Sequence, residues 1–536
     1  MTLTDIRSPN VSRGRTLEKP AVKGRGGLVA AQNRQAAHVG AEVLRAGGNA
    51  VDAAVATSFA LGVLEPWMNG IGGVGAMLVR PQDGPVSSID AGARSPADLN
   101  PADFPLVEGK DGDLFGWPNV LEDRNVVGAR SICIPGLVRG LGSAHARFGR
   151  MPWAELVAPA VALAADGLVV DHHVTLWVAQ EMARLQRNEA CAAWFLPDGY
   201  PPVPPAAVTG KVARLCSPKL SATLARIAHE GPDALYLSDL AQDLTRDVQD
   251  LGGYLSAEDM AGFEAVEAPA RSEPYRGHAL HYVPDLNGGV SVALAMRLCN
   301  RDHVPAGTVA APDDIMAYAA AMAASWEHRF AELGDGAERT LPSCTTHFSV
   351  VDSEGMTVSL TLTQTLLSLF GSGVVSPSTG ILLNNGVNWF DPRPGKINAI
   401  APARKALANY SPVMLTGEED VVAFGGSGGR KILPAVFQAL ARIVDFDADL
   451  ECAIAAPRFD LSAPPVLVAD PRFGADLLKR LAERYPVVLA DRIDHPNHYT
   501  TLCGVRRKQG VNYGAAEPWH PWADAVAEGE SLFPNE

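Results

Sequence analysis

The chain has no C-x-x-C pair, and its seven cysteines stand singly at 133, 191, 216, 299, 344, 452 and 503. An odd, scattered set argues against a disulfide framework or a zinc site and for reduced thiols. No stretch approaches ~18 uninterrupted apolar residues, so no membrane-spanning helix is expected. The opening MTLTDIRSPNVSRGRTLEKP lacks the apolar core of a secretory signal, which makes the cytoplasm the default location. Basic residues are in deficit, 45 Lys and Arg against 60 Asp and Glu, for a net charge of -15. Sequence-independent binding to nucleic acid or anionic lipid needs a basic surface and is not expected. No repeat with a period of 20–50 residues is present.

Apolar residues make up 47% and charged residues 20% of the 536, enough to bury a large core. Length alone suggests about three domains or one large body. Residues 1–26 are polar and basic and read as a flexible arm. Between 27 and 79, AAQNRQAAHVGAEVLRAGGNAVDAAVATSFALGVL predicts two helices broken at Gly47-Gly48. Further helices are expected over 135–170, 217–262, 290–330, 430–444 and 474–484. Residues 190–210 read as a surface excursion. Strand patterns begin after a breaker-rich connector, GDGAERTLPSC, and include Gly380-Ile-Leu-Leu. The clearest is TVSLTLTQT, which puts Val358, Leu360 and Leu362 on one face and Thr357, Ser359, Thr361, Thr363 and Thr365 on the other. The pattern is α+β, a mostly helical front and a strand-rich back joined near residue 344.

Several motifs invite a functional reading. Gly70-Ile-Gly-Gly-Val-Gly75 fits the dinucleotide fingerprint, but a strand follows it where a helix is required, so a tight turn is the better reading. Gly425-Gly-Ser-Gly-Gly429 lacks the Lys-Ser/Thr of a phosphate loop. Adjacent N–H groups at a helix start could instead hold an oxyanion; a plain hinge fits the local sequence equally well. The pairs His172-His173, His278 with His281, and His495 with His498 lack a carboxylate at zinc spacing, so no metal is expected. Thr345-Thr346-His347 starts a strand. A threonine that becomes a chain N-terminus carries its own base, an α-amine with pKa near ~7.7–8.0. Nothing local distinguishes this pair from an ordinary strand start.

The run THFSVVDSEGMTVSLTLTQTLLSLFGSGVVSPSTGILLNN closely resembles the start of the small subunit in the γ-glutamyltranspeptidase family. GGNAVDAAVATSFALGVLEPWMNGIGGVGAMLV resembles the family's N-terminal signature. IPGLVRGL, APAVALAADG, GPDALY, AAPRFD and YGAAEP match in order, so the likeness spans about residues 27–518. The resemblance implies a four-layer αββα sandwich of the N-terminal-nucleophile hydrolase type. It implies self-cleavage between Cys344 and Thr345, giving subunits 27–344 (behind the arm) and 345–536 that remain one folded unit. Thr345 would be the nucleophile, Gly428 and Gly429 the oxyanion pair, and Thr365 or Thr363 the helper hydroxyl. No cofactor or metal is implied. The implied partners are a small-molecule amide and the cleaved subunit, with homo-oligomers possible.

The γ-glutamyl pocket does not carry over. The family's arginine matches Gly92, its Ser-Ser pair Ala408-Asn409, and its amine-gripping residues Leu367, Gly386 and Trp389. Losing one bidentate Arg–carboxylate contact costs on the order of 1.5–3 kcal/mol, and losing several makes glutamyl binding implausible. The substrate-binding candidates here are Arg94, Leu367, Asn385, Trp389, Asn409 and Tyr410. The expected activity is hydrolysis of a small amide through a threonyl acyl-enzyme, as in relatives such as oxamate amidohydrolase and the cephalosporin or glutaryl acylases. The alternatives are a γ-glutamyl hydrolase or transpeptidase with a rearranged clamp, and an uncleaved binding protein. The connector is short, with Gly336 only nine residues before Thr345. That leaves open a more open pocket or slow cleavage.

Overall fold

The computed structural model describes residues 3–10, 12, 16–108, 117–207, 209–334, 344–364, 369–495 and 498–533. Two seven-stranded sheets lie face to face, each covered outside by helices. One sheet runs Asp524–Ala527, Leu28–Ala31, Thr346–Val351, Thr357–Thr363, Val74–Arg80, Ser87–Ala91, Val266–Pro269. The other runs Val22–Gly24, Val511–Ala516, Thr501–Lys508, Asp420–Ser427, Val413–Thr416, His278–Tyr282, Arg271–Tyr275. This is the αββα sandwich. Most helices precede residue 344 and strands are denser after it, as expected, but both sheets interleave strands from the two parts.

Three cores follow from the four layers. Val358, Leu360 and Leu362 face the first outer core, which also holds the helix Ala50–Leu64. That helix is buried on every side, as its unbroken apolar sequence demands. It starts at an Asn49–Asp52 capping box, and the preceding helix, Arg34–Arg45, ends just before Gly47 at φ +96°. The opposite face of Thr357–Thr363 meets the second sheet, where Ser359 Oγ donates to the Phe424 carbonyl at 3.2 Å. The helices Gly289–Asp302, Pro312–His328 and Ile432–Phe446 cover the second sheet.

Three expectations need correction. Gly380-Ile-Leu-Leu is not a strand; it makes only isolated bridges, Val375 to Leu382 and Gly72 to Leu383. The segment after 189 is not all surface, for Glu189–Phe195 is a helix whose Cys191 and Phe195 are buried. The described parts of the N-terminal arm are tied down. Leu3–Asp5 pairs with Val487–Leu489, Val22–Gly24 pairs with Asn512–Gly514, and Lys19 Nζ donates to the Glu517 and His520 carbonyls at 3.2 and 2.8 Å. Among the described residues no helix is long and apolar enough to cross a membrane.

Candidate active site

Thr345 sits at the entry to the strand Thr346–Val351, between the sheets. Thr346 pairs with Leu362, so the next step brings Thr345 opposite Thr363. The Cys344 carbonyl accepts two hydrogen bonds, from Thr345 Oγ1 at 2.5 Å and from Thr363 Oγ1 at 2.6 Å. All three residues are buried. Of the two helper candidates, Thr363 is thus at the Cys344 carbonyl; Thr365 lies outside the described residues, as does the connector 335–343. Cys344 packs in the outer apolar core.

His347 anchors this end of the sandwich. Its Nδ1 meets Thr361 Oγ1 at 2.8 Å and its Nε2 meets Ser349 Oγ at 3.0 Å. Full burial pushes its pKa down to about 3, so the ring is neutral. A Cβ on Gly425 would lie 2.5 Å from that ring, so only glycine lets the second sheet approach here. Ser349 and Ser359 pair near Phe424, and His347 lies at Gly425. Continuing in the same direction carries Thr345 toward Gly428 and Gly429. These glycines, at φ +135° and +62°, form the corner between the strand Asp420–Ser427 and the helix Ile432–Phe446. The positive φ values explain the glycines, and a strand-to-helix corner presents N–H groups to an anion. A cleft at this corner is lined by Met68, Trp177, Leu369, Gly428, Lys431 and His495.

The histidines behind the cleft are structural. Trp177 Nε1 donates to His173 Nε2 at 2.9 Å, and the His173 and His520 rings sit 5.1 Å apart. Burial pushes His173 down to about 4 and His520 well below its ordinary value. Among the described residues no group of three or more His, Cys, Asp or Glu could hold a metal.

The candidate acyl pocket is only partly assembled from the expected residues. Asn385 is buried, with its N–H on the Gln364 carbonyl at 3.0 Å, one residue beyond Thr363. Trp389 lies 5.7 Å from the Tyr410 ring. Asn409 Oδ1 accepts from Arg329 Nη2 at 2.7 Å. Arg94 is solvent-exposed and contributes its backbone, which accepts from the Ile134 N–H at 3.0 Å and bridges Lys405. Leu367 lies outside the described residues. Space beside Gly92 is filled from elsewhere. A Cβ there would meet the Tyr410 hydroxyl at 2.2 Å, Asp90 Oδ1 at 2.7 Å and Lys405 Cε at 3.6 Å. Lys405 pairs with Asp90, and Tyr410 faces the same carboxylate. Sequence reasoning missed Lys405, Asp90 and Arg329, because their partners lie some 80 to 315 residues away. Three buried polar groups, Asn388 with both side-chain amide atoms, Trp389 Nε1 and Asn409 Nδ2, have no partner among the described residues.

Comparison with known proteins gives one coherent answer. The family model described as Gamma-glutamyltranspeptidase matches residues 36–344 and 337–527. The chain is 32% identical over 481 residues to the Acylase ACY 1 proenzyme of Pseudomonas sp. strain V22, covering 83% of this chain and 84% of that protein. It is 28% identical over 550 residues to the Glutathione hydrolase proenzyme of Escherichia coli K12, covering 93% and 91%. The cephalosporin acylase of Bacillus halodurans superposes with a TM-score of 0.81 at 24% identity, covering 97% of this chain and 99% of that one, which shows the shared fold.

Proposed function

The chain belongs to the gamma-glutamyltranspeptidase family and is an amide-bond hydrolase of the N-terminal-nucleophile type, and we propose that Thr345 is its nucleophile and that its acyl substrate is not γ-glutamyl. The observation that carries the first part is the pair of hydroxyls on the Cys344 carbonyl. Thr345 Oγ1 attacks the Cys344 carbonyl carbon, the C–N bond breaks, and the acyl group passes from nitrogen to oxygen. Thr363 supplies a hydrogen bond to the oxygen on which negative charge develops. The Oγ1 proton passes to the departing nitrogen, which becomes the free Thr345 α-amine; water then hydrolyses the ester, restoring the Thr345 hydroxyl and leaving a Cys344 carboxylate.

In turnover the α-amine takes the proton of Thr345 Oγ1. The oxygen attacks a substrate amide, and the N–H groups of Gly428 and Gly429 hold the oxyanion. The amine leaves with a proton, and water releases the acid from the acyl-enzyme.

The second part rests on charge. Lys405 is the cation beside Gly92, and Asp90 already neutralises it. Trp389 Nε1, Asn388 and Asn409 Nδ2 are buried uncharged hydrogen-bonding groups without a partner among the described residues, and the Trp389 ring lies 5.7 Å from that of Tyr410. Such a lining suits an uncharged acyl group bearing an acceptor oxygen and offers little to an α-amino acid zwitterion. Butyryl-, glutaryl-, oxalyl- and γ-glutamyl-p-nitroanilide, assayed side by side, test this. Efficient turnover of the γ-glutamyl compound would overturn the substrate reading. Thr345→Ala should remain one uncut chain of 56.5 kDa without activity; cleavage in that variant would overturn the nucleophile.

A further inference from the structure

Two of the sequence motifs, AAPRFD and YGAAEP, have no part in the scheme above, yet they meet in the structure. Arg458 of the first donates through Nη2 to Glu517 Oε2 of the second at 2.7 Å. Arg492 binds the other oxygen of the same carboxylate. All three side chains are almost wholly buried, so one carboxylate is shared by two guanidiniums and the triad keeps a net positive charge. Burial alone would raise the Glu517 carboxyl, but Arg492 and Arg458 hold it below its ordinary value, so it is ionised. Backbone carbonyls complete the clamp, with Ile454 on Arg458 Nη1 at 2.8 Å and Ala455 on Arg492 Nη1 at 2.9 Å.

The remaining reach of Arg458 Nη2 is to the carbonyl of Thr500. Ser427 pairs with Thr501, so the next step sets Thr500 beside Gly428. A Cβ on Gly428 would lie 3.3 Å from Thr500 Oγ1. That hydroxyl is buried and has no partner among the described residues. A buried hydroxyl without a partner is costly in a folded protein unless something arrives to satisfy it. What forms beside Gly428 in the proposed reaction is an oxyanion.

We propose that Thr500 Oγ is a third hydrogen-bond donor of the oxyanion hole, and that Arg458, Glu517 and Arg492 are positioning residues that hold it there. This rests on the reading that Gly428 and Gly429 bind the oxyanion of the substrate. The positive triad behind Thr500 also favours the negative charge that gathers in front of it.

Thr500→Val keeps the shape and removes the hydroxyl. It should self-cleave and melt like wild type, because cleavage relies on Thr363. Its kcat for p-nitrophenyl acetate should fall by about a hundredfold with KM little changed, as for loss of one oxyanion donor. Thr500→Ser should recover most of that loss, and Arg458→Gln should lower kcat in the same direction. Wild-type kcat in mature Thr500→Val would overturn the proposal. Gly428→Ala separates the two readings. If it loses turnover while Thr500→Val does not, only the role of Thr500 falls; if mature Gly428→Ala turns over normally, the oxyanion reading itself falls.

Discussion

Thr363 Oγ1 donates a 2.6 Å hydrogen bond to the carbonyl oxygen of Cys344, across the end of two paired strands. The bond that joins residues 344 and 345 is therefore polarised by a residue nineteen positions later. Removing that donor should slow maturation more than it unsettles the fold. Thr363→Val should self-cleave roughly 10²-fold more slowly, and Thr363→Ser should stay near wild type. A time course of band splitting on denaturing gels measures this; equal rates for wild type and Thr363→Val would remove Thr363 from the mechanism.

Gly425 is a packing requirement of the site. Gly425→Ala would drive a methyl into the His347 ring, where the Cβ position is 2.5 Å from Nδ1. Overpacking of this kind costs about 1–3 kcal/mol. The sheets would part beside His347, two residues from Thr345, so activity should fall together with the melting temperature. His347→Ala in the same chain makes room and should recover part of the stability; an unchanged melting temperature in Gly425→Ala would contradict the close approach.

Glu65 supplies a pH signature. It ends the helix Ala50–Leu64 close to Thr346, and burial pushes its pKa from 4.5 up to about 8. The Thr346 hydroxyl opposes the shift, but it donates to Gln32 Oε1 at 3.3 Å, and neither Glu65 oxygen has a donor among the described residues. The folded protein therefore holds a proton that the unfolded chain releases. Stability from this group is complete below about pH 4.5, declines as pH rises toward about 8, and is lost above it, a loss of order 5 kcal/mol. Glu65→Gln should flatten that slope and raise the melting temperature at pH 8.5 relative to wild type. Parallel melting curves for the two proteins between pH 5 and 8.5 would refute the assignment.

The Asp90–Lys405 pair should behave as a unit. Asp90 is nearly buried and Lys405 about one-fifth exposed. Removing one partner leaves a charge poorly solvated, so Lys405→Met should destabilise by about 3 kcal/mol, and the double variant Asp90→Asn/Lys405→Met by less. Chemical denaturation of Lys405→Met, Asp90→Asn and the double variant tests the coupling. Additive losses would show that the two charges act independently.

The sequence by itself determined the alternation of its main strands and the segment where the strand Thr346–Val351 begins. TVSLTLT alternates because one face of its strand meets helices and the other meets the second sheet. The helix break at Gly47 and the order of motifs from 27 to 518 were equally legible, since each is encoded by residues near in sequence. The tertiary structure alone decided which groups face one another. It set Thr363 on the Cys344 carbonyl, closed the space beside Gly92 with Tyr410, Asp90 and Lys405, and turned Arg94 to solvent. It also joined Arg458 to Glu517 and set Thr500 beside Gly428. Those contacts depend on strand register and sheet spacing, in which a one-residue slip reverses every side chain, and no local pattern records which distant partner a face will meet.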